Sequence, residues 1–401
     1  MNNSMILVIN SGSSSIKYQL FNMPNSKPLC SGLVERIGLP DAVVTHKTYI
    51  AGAVQQQRFE MALANHQAGL LTVVKILTEG SQAVIQNVND IVGIGHRVVH
   101  GGETFSATTL VSKEVKDQIR ALITLAPLHN PANLLGIEVA ERIFPKAAQV
   151  AVFDTAFHQS MPEVAFRFAL PKKLYTEMGI RAYGFHGTSH RYVTRSASAH
   201  LKNPHAKMIS IHLGNGCSMA AVIGGKSVDT SMGLGPMGGL VMGSRAGDLD
   251  PSVIFHLIME MGYAPAEVHH MLNKESGILG ICGYSDMRDL REAMDHGNPD
   301  ALLAHGLYAY RIRKYIGSYA AVLNGVDAIV FTAGVGENDV DMRAAVCKDM
   351  DYLGMVLDDD KNAAPGTELR EIQASHSKIK VLVIPTNEEL EIAQQTYHLL
   401  A

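Results

Sequence analysis

Basic charge is not in excess in this chain: 34 Lys and Arg stand against 38 Asp and Glu, a formal charge of −4 at neutral pH. Without a cationic field there is no general grip on polyanionic nucleic acid or on an anionic membrane, so neither partner is expected. Cysteine is scarce, and Cys30, Cys217, Cys282 and Cys347 show neither CxxC spacing nor the density of a disulfide scaffold. That usage points to a reducing, cytosolic compartment. Nowhere do 18 consecutive apolar residues occur, and the N-terminal stretch MNNSMILVIN lacks the basic start and long apolar core of a signal peptide, so a soluble, unprocessed chain is expected. GxxxxGK[ST] is missing, which excludes a Walker A loop; HExxH and paired cysteines are missing, which argues against a transition-metal centre.

What is present is an α/β pattern. The length of 401 residues suits two or three domains, and 47% hydrophobic with 18% charged residues is a globular composition. Apolar, β-branched runs predict strands at Met5–Asn10, Ile91–Val99, Gln149–Phe153, Met208–Leu213, Ala328–Ala333 and Lys380–Pro385. Asn130-Pro131 and Asp250-Pro251 open helices with proline in the first turn, and Thr386-Asn-Glu-Glu389 reads as a capping box into a C-terminal helix. A longer helical period runs over Ala301–Leu323. No Pro/Ser-rich linker marks a boundary, but the chain carries a weak internal echo. Met5–Leu20 and Met208–Ile223 both read strand, glycine-bearing turn, strand, which suggests a duplicated domain.

Three groups of residues bear on chemistry. Asn10-Ser-Gly-Ser-Ser-Ser-Ile-Lys17 offers N–H groups, hydroxyls and an ammonium, either as a phosphate cradle or as an ordinary polar hairpin. Further glycine-rich segments follow strands at His212–Gly216, Gly233–Gly239, Gly277–Gly283 and Ala333–Asn338, where backbone amides can approach an anion or nucleotide closely. Arg97 and Arg245 lie beside glycines in Gly95–Gly102 and Gly243–Asp248, a setting suited to planar oxyanions. Most of the 18 histidines are read as hydrogen-bonded structural residues. Asp154 and Glu388 fall at strand ends, where ligands of open α/β sheets gather and where Mg²⁺ would find one or two carboxylates; Glu388 could equally serve only as a favourable charge at a helix N-terminus.

Together these segments resemble the acetokinase family, within the superfamily of acetate and sugar kinases, Hsp70 and actin. The markers run almost the length of the chain. They are the Asn10–Lys17 loop, Gly95-His-Arg-Val-Val-His-Gly-Gly-Glu103, Ala126-Pro-Leu-His-Asn-Pro-Ala-Asn133, Val152-Phe-Asp-Thr-Ala-Phe-His158, Tyr183-Gly-Phe-His-Gly-Thr-Ser-His190, His212-Leu-Gly-Asn-Gly216, Gly334-Val-Gly-Glu-Asn338 and Pro385-Thr-Asn-Glu-Glu389. One segment departs from the family pattern: Met232–Leu240 differs from the usual Thr-Pro-Leu-Glu-Gly form at Gly235, Met237 and Gly238 while keeping Pro236 and Arg245.

The resemblance implies two duplicated ribonuclease-H-like, actin-like ATPase domains flanking a deep cleft, one of residues 1–153 plus 387–401 and one of 154–386. It implies reversible phosphoryl transfer from ATP to acetate, giving acetyl phosphate and ADP, with propionate or butyrate as alternative acids and an Hsp70- or actin-like ATPase module as a reading of another class. By resemblance, Asn10 and Glu388 hold Mg²⁺, which Mn²⁺ could replace, with Asp154 organising metal and phosphoryl group. Arg97, Arg245 and His186 act on the reacting oxygens, and Arg97, Val99, Leu128, His129, Phe185 and Pro236 bind the acid. Lys17, His212, Leu213, Gly214, Asn215, Gly216, Asp286, Met287, Arg288, Gly334, Val335, Gly336, Glu337 and Asn338 line the nucleotide. The family is typically homodimeric through the second domain, to which the tyrosine-rich stretch near 307–319 could contribute unless it is plain core. Strand alternation over Ile91–Val99 also predicts Arg97 and Val99 on one face, where Val99 is either plain strand core or, as the resemblance implies, the residue that limits the acyl pocket.

Overall fold

The computed structural model describes residues 4–50 and 53–401. The chain divides into two compact units, one of residues through Phe157 together with Asn387–Ala401, the other His158–Thr386. The division falls after Phe157, not after residue 153, which leaves Asp154 with the first unit.

In the first unit the strands are β1 (Ser4–Ser11), β2 (Ser15–Met23), β3 (Lys27–Glu35), β4 (Ala42–Ile50), β5 (Ala53–Met61), β6 (Ile91–Val98), β7 (Thr109–Leu110) and β8 (Ala148–Phe153). They form one sheet in the order β5-β4-β3-β2-β1-β6-β8-β7, with β1, β6 and β8 parallel. β1 is apolar without alternation because both its faces are covered. Leu7 and Ile9 pack with Leu70, Val73, Val139 and Ala140 of the His66–Thr78 and Asn130–Ile143 helices. Ile6 and Val8 pack on the other side with Ile392 and Ala393 of the C-terminal helix Glu388–Leu400. That helix sits close to the sheet at β6, where a Cβ on Gly95 would lie 2.6 Å from the Ile392 side chain and one on Gly93 2.5 Å from Leu400. Glycine is therefore the residue that lets helix and strand meet.

The second unit holds β9 (Lys207–Leu213), β10 (Cys217–Ile223), β11 (Lys226–Thr230), β12 (Ala328–Thr332), β13 (Arg370–Glu371) and β14 (Lys380–Val383), in the order β11-β10-β9-β12-β14-β13. Its β11-β10-β9-β12-β14 repeats β3-β2-β1-β6-β8 of the first unit in order and in strand direction, two antiparallel pairings followed by two parallel ones. Each unit is thus a ribonuclease-H-like α/β fold. The sequence echo corresponds to the first hairpin of each sheet, β1–β2 and β9–β10.

Several element ends differ from the sequence expectation for local reasons. β6 stops at Val98, because the N–H of Val99 donates to Asn133 Oδ1 at 3.0 Å and not to a neighbouring strand. Alternation therefore does not set the direction of the Val99 side chain. β12 stops at Thr332; Ala333 takes φ +64°, in the left-handed region, and starts the short helix Ala333–Asn338, so the segment expected as a glycine loop is largely helical. The C-terminal helix is capped by Asn387, whose Oδ1 accepts from Leu390 N at 3.0 Å, so the expected Thr386–Glu389 capping box does not form. The long helix runs Pro299–Leu323 and starts early because Asn298 caps it. Of its tyrosines, Tyr308 and Tyr319 are core and Tyr310 is exposed.

Candidate active site

In the first unit the parallel strands β1, β6 and β8 end on one side, the end of a sheet where open α/β folds bind ligands. Asn10 is the penultimate residue of β1, Arg97 the penultimate residue of β6, and Asp154 follows β8 directly, its N–H bonded to Val98 O at 2.9 Å. Arg97 donates from Nε (3.0 Å) and Nη2 (2.6 Å) to Asp154 Oδ2, and its Nε lies 3.9 Å from Glu388 Oε2. Asp154 is only 1% exposed. Glu388 opens the C-terminal helix, and burial pushes its carboxyl up to about 7, with Arg97 opposing the rise and Asp154 and Glu389 adding to it. Burial works against the charge on Arg97, but Asp154 and Glu388 outweigh it and hold the guanidinium above its usual range. The arrangement is one fixed cation between two carboxylates, rich in hard oxygen donors.

Lys17 stands opposite Asn10 in the β1–β2 register and pairs with Glu389 at 2.5 Å. Val99 is buried just beyond β6. His129 is the residue before the Asn130–Ile143 helix, and Leu128 beside it is 62% exposed. Asn133 and Asn130 brace this region, the first donating to Ser11 O at 2.9 Å and the second to His100 O at 3.1 Å.

The second unit gathers histidines behind the β9–β10 turn. His186, at φ +55°, precedes the Gly187–Leu201 helix; its ring stacks on that of His212 at 4.3 Å, and its Nδ1 meets Ser218 Oγ at 2.9 Å. A Cβ on Gly216 would lie 3.2 Å from His186 Nε2 and 3.5 Å from Arg245 Nη1, so the glycine keeps open the approach to both groups. Arg245 donates to Pro236 O at 2.9 Å, and burial lowers its pKa. Phe185 is core, and its carbonyl accepts from His158 Nε2 at 3.0 Å.

A cavity of about 750 Å³ opens in the same unit, a size suited to a nucleotide or cofactor. Of the residues expected at the nucleotide it is lined by Gly214 and Asn215 of the β9–β10 turn, by Asp286, Met287 and Arg288, and by Gly334, Val335 and Asn338. Asp286 caps the Met287–Asp295 helix and pairs with Arg288 at 2.7 Å, which holds its carboxyl down at about 2. His212, Leu213, Gly216, Gly336 and Glu337 do not line this cavity, and Lys17 belongs to the first unit. Leu213 is core, and Glu337 Oε1 accepts from Thr386 N at 3.0 Å.

Sequence reasoning missed Arg291, Tyr308 and Asp339, which line the cavity, and Arg343, which lies beneath it. Arg291 donates to Asp339 Oδ1 at 3.0 Å. The fully buried Arg343 donates to the carbonyls of Gly336, Glu337 and Asn362 and to Asn362 Oδ1, at 2.7–3.0 Å, pinning the end of the Ala333–Asn338 helix. Asp339 could have been found from its place before a second helical run; Arg343 carries no local signal, because its role depends on a partner 19 residues away.

Comparison with known proteins gives one answer. The profile of the Acetokinase family matches residues 5–394. An acetate kinase of Flavobacterium johnsoniae is 54% identical over 395 residues, covering 98% of this chain and 99% of that protein. One of Methanosarcina acetivorans is 48% identical, covering 98% and 96%. Among solved structures, Porphyromonas gingivalis acetate kinase superposes with a TM-score of 0.93 at 42% identity over 99% of this chain and 100% of that one. A propionate kinase from Francisella tularensis reaches 0.91, also at 42% identity, over 98% and 99%. With matches that run the length of both partners on a fold of two ribonuclease-H-like units, the chain belongs to the acetokinase family, whose reaction, phosphoryl transfer between ATP and the carboxylate of acetate, is the reaction it carries out.

Proposed function

We propose that the transfer is in-line and Mg²⁺-dependent, with Asn10, Asp154 and Glu388 serving the metal and the cavity of the second unit taking the nucleotide. The observation that carries this reading is the pair Asp154 and Glu388 gathered about Arg97. Among the described residues no group of three or more His, Cys, Asp and Glu is arranged to cage a metal. A hard cation on Asn10 and Glu388, next to Asp154, would take its remaining ligands from water and phosphate, the usual habit of Mg²⁺, which Mn²⁺ can imitate. Glu388, its carboxyl raised to about 7 beside a second carboxylate, fits that role, since a cation relieves the crowding. When bound, the ion neutralises charge on the phosphate oxygens.

The protein's own contribution is positioning. Acetate is ionised at neutral pH, so no residue has to deprotonate it and Asp154 has no general-base task. Arg97, held charged, pairs with the acid's carboxylate, while Val99, Leu128, Phe185 and Pro236 surround its methyl group. His129, His186 and Arg245 donate to the phosphoryl oxygens, where charge must be stabilised in transfer. The 750 Å³ cavity takes the adenosine and proximal phosphates, with Gly214, Asn215, Asp286–Arg288 and Gly334–Asn338 as its walls. By the same reading Lys17, released from Glu389, pairs with the nucleotide's phosphates.

The same reading takes acetate over propionate, although a neighbour named a propionate kinase is as similar in sequence as an acetate kinase. It also takes a homodimer joined through the second unit. The apolar helix Pro251–Met259 buries none of its residues, with Met259 74% exposed, and a second copy would cover it. The cytosol suits the four unpaired cysteines. Mixing protein, ATP, Mg²⁺, acetate and hydroxylamine should yield acetohydroxamate in an amount equal to ADP; ADP release without hydroxamate would mean simple hydrolysis and would overturn the reading.

A further inference from the structure

Behind His186 lies a line of buried groups joined end to end. Ser210 Oγ is 2.8 Å from His190 Nδ1, His190 Nε2 is 2.8 Å from Ser218 Oγ, and Ser218 Oγ is 2.9 Å from His186 Nδ1. Ser210, Ser218 and His190 are all fully buried. Burial, with His158 and His212 close by, pushes the His190 imidazole well below its usual pKa, so it is neutral and has one N–H and one lone pair.

Two proton arrangements give the Ser218 O–H an acceptor, and they run in opposite directions; in a third both imidazoles donate to Ser218 and strand its own buried O–H among the described residues. Ser210 decides between them. Its hydroxyl makes no hydrogen bond among the described residues except that to His190. If it accepted from His190, its own O–H would be stranded in the core, a buried donor without an acceptor. It therefore donates to Nδ1, His190 donates from Nε2 to Ser218, and Ser218 donates to His186 Nδ1. His186, when neutral, must then hold its proton on Nε2, the nitrogen that borders Gly216 near Arg245.

We propose that Ser210, His190 and Ser218 are positioning residues forming a one-way chain of donors that fixes His186 as the Nε2–H tautomer, so that it meets an anionic phosphoryl oxygen as a donor. The final clause rests on the role given to His186 above; the chain itself does not.

The test is long-range ¹H–¹⁵N NMR on the full-length protein labelled with ¹⁵N-histidine, the His186 signals being assigned by their loss in His186→Asn. Wild type should show His186 protonated at Nε2; protonation at Nδ1 would overturn the chain without any variant having to fold. Ser218→Ala should give a mixture of tautomers and lower kcat about 10- to 100-fold, with nucleotide KM within twofold, while Ser218→Thr, which keeps the hydroxyl, should restore both readouts. An unchanged tautomer in Ser218→Ala would overturn the chain. A tautomer lost in Ser218→Ala with kcat intact would uphold the chain and overturn the role of His186 as donor to the phosphoryl group.

Discussion

Two nitrogens of Arg97 converge on a single oxygen of Asp154, with Nε at 3.0 Å and Nη2 at 2.6 Å from Oδ2, while Glu388 waits at 3.9 Å on the Nε side. The guanidinium is thus oriented by one carboxylate and charged by two. An ammonium in its place could not make both bonds in one plane.

Arg97→Ala should lower kcat/KM at least 100-fold with the far-ultraviolet circular dichroism unchanged, because Asp154 and Glu388 lose their common cation and the acid loses its partner. Arg97→Lys should recover little of this. Arg245→Ala is expected to behave similarly. Near-normal turnover in either alanine variant would remove that arginine from the site.

Asp154→Asn and Glu388→Ala should raise the Mg²⁺ concentration for half-maximal rate more than they raise the nucleotide KM, since the cavity residues of the second unit are untouched. The check is a titration of rate against Mg²⁺ at saturating ATP. If midpoint and maximal rate both stay at the wild-type level, the two carboxylates are structural.

Val99 should set acyl-chain length. Wild type is expected to favour acetate over propionate by on the order of 1–3 kcal/mol in kcat/KM, the usual worth of one methylene in an apolar slot. Val99→Ala should narrow the gap, mainly through a lower KM for propionate. A ratio that does not move would place Val99 in the core alone, and a wild type that already prefers propionate would overturn the choice of acid.

Arg343→Met should raise nucleotide KM several-fold while leaving acetate KM almost unchanged, because the Ala333–Asn338 helix loses the donors that hold its last carbonyls. The stranded carbonyls should also lower stability, on the order of 3 kcal/mol. Equal KM values for ATP in wild type and variant would show that the cavity wall does not need this anchor.

Acid should destabilise the protein through its buried histidines. His46 and His96 are almost wholly buried, and desolvation pushes both down to about 4. Between that value and the usual 6.5 the unfolded chain binds more protons than the folded one, so the stability these residues contribute is lost as pH falls through that window, by at most about 1.4 kcal/mol per pH unit each. Glu388, raised to about 7, works in the opposite sense: its contribution is present at low pH and is lost as pH rises through 7. Denaturant unfolding at pH 7, 6 and 5 should therefore give a shallower slope for His96→Gln than for wild type, a comparison in which Glu388 cancels. Parallel slopes would exclude His96 as a contributor.

The duplicated architecture was legible because each hairpin carries its own turn, Gly12 in one and Gly214 to Gly216 in the other, and the apolar runs of β1 and β9 announce strands covered on both faces. The strand-end carboxylates were legible for a similar reason, since Asp154 follows directly on a run of buried residues. What could not be read was set by distant partners. Val99 is drawn out of β6 by Asn133, 34 residues on, and Thr386 gives up its capping role while its N–H binds Glu337. The line from Ser210 to His186 joins two strands and a helix and has no local pattern at all.

The return of Glu388–Leu400 to the first unit has a bearing on how the molecule matures. The apolar face of β1 formed by Ile6 and Val8 is closed by Ile392 and Ala393, and all of His158–Thr386 intervenes in the chain. During synthesis that face stays uncovered until Glu388–Leu400 is made, after every residue of the second unit. A chain stalled before Glu388 would therefore leave Ile6 and Val8 without their cover, and Arg97 and Asp154 without the Glu388 carboxylate beside them.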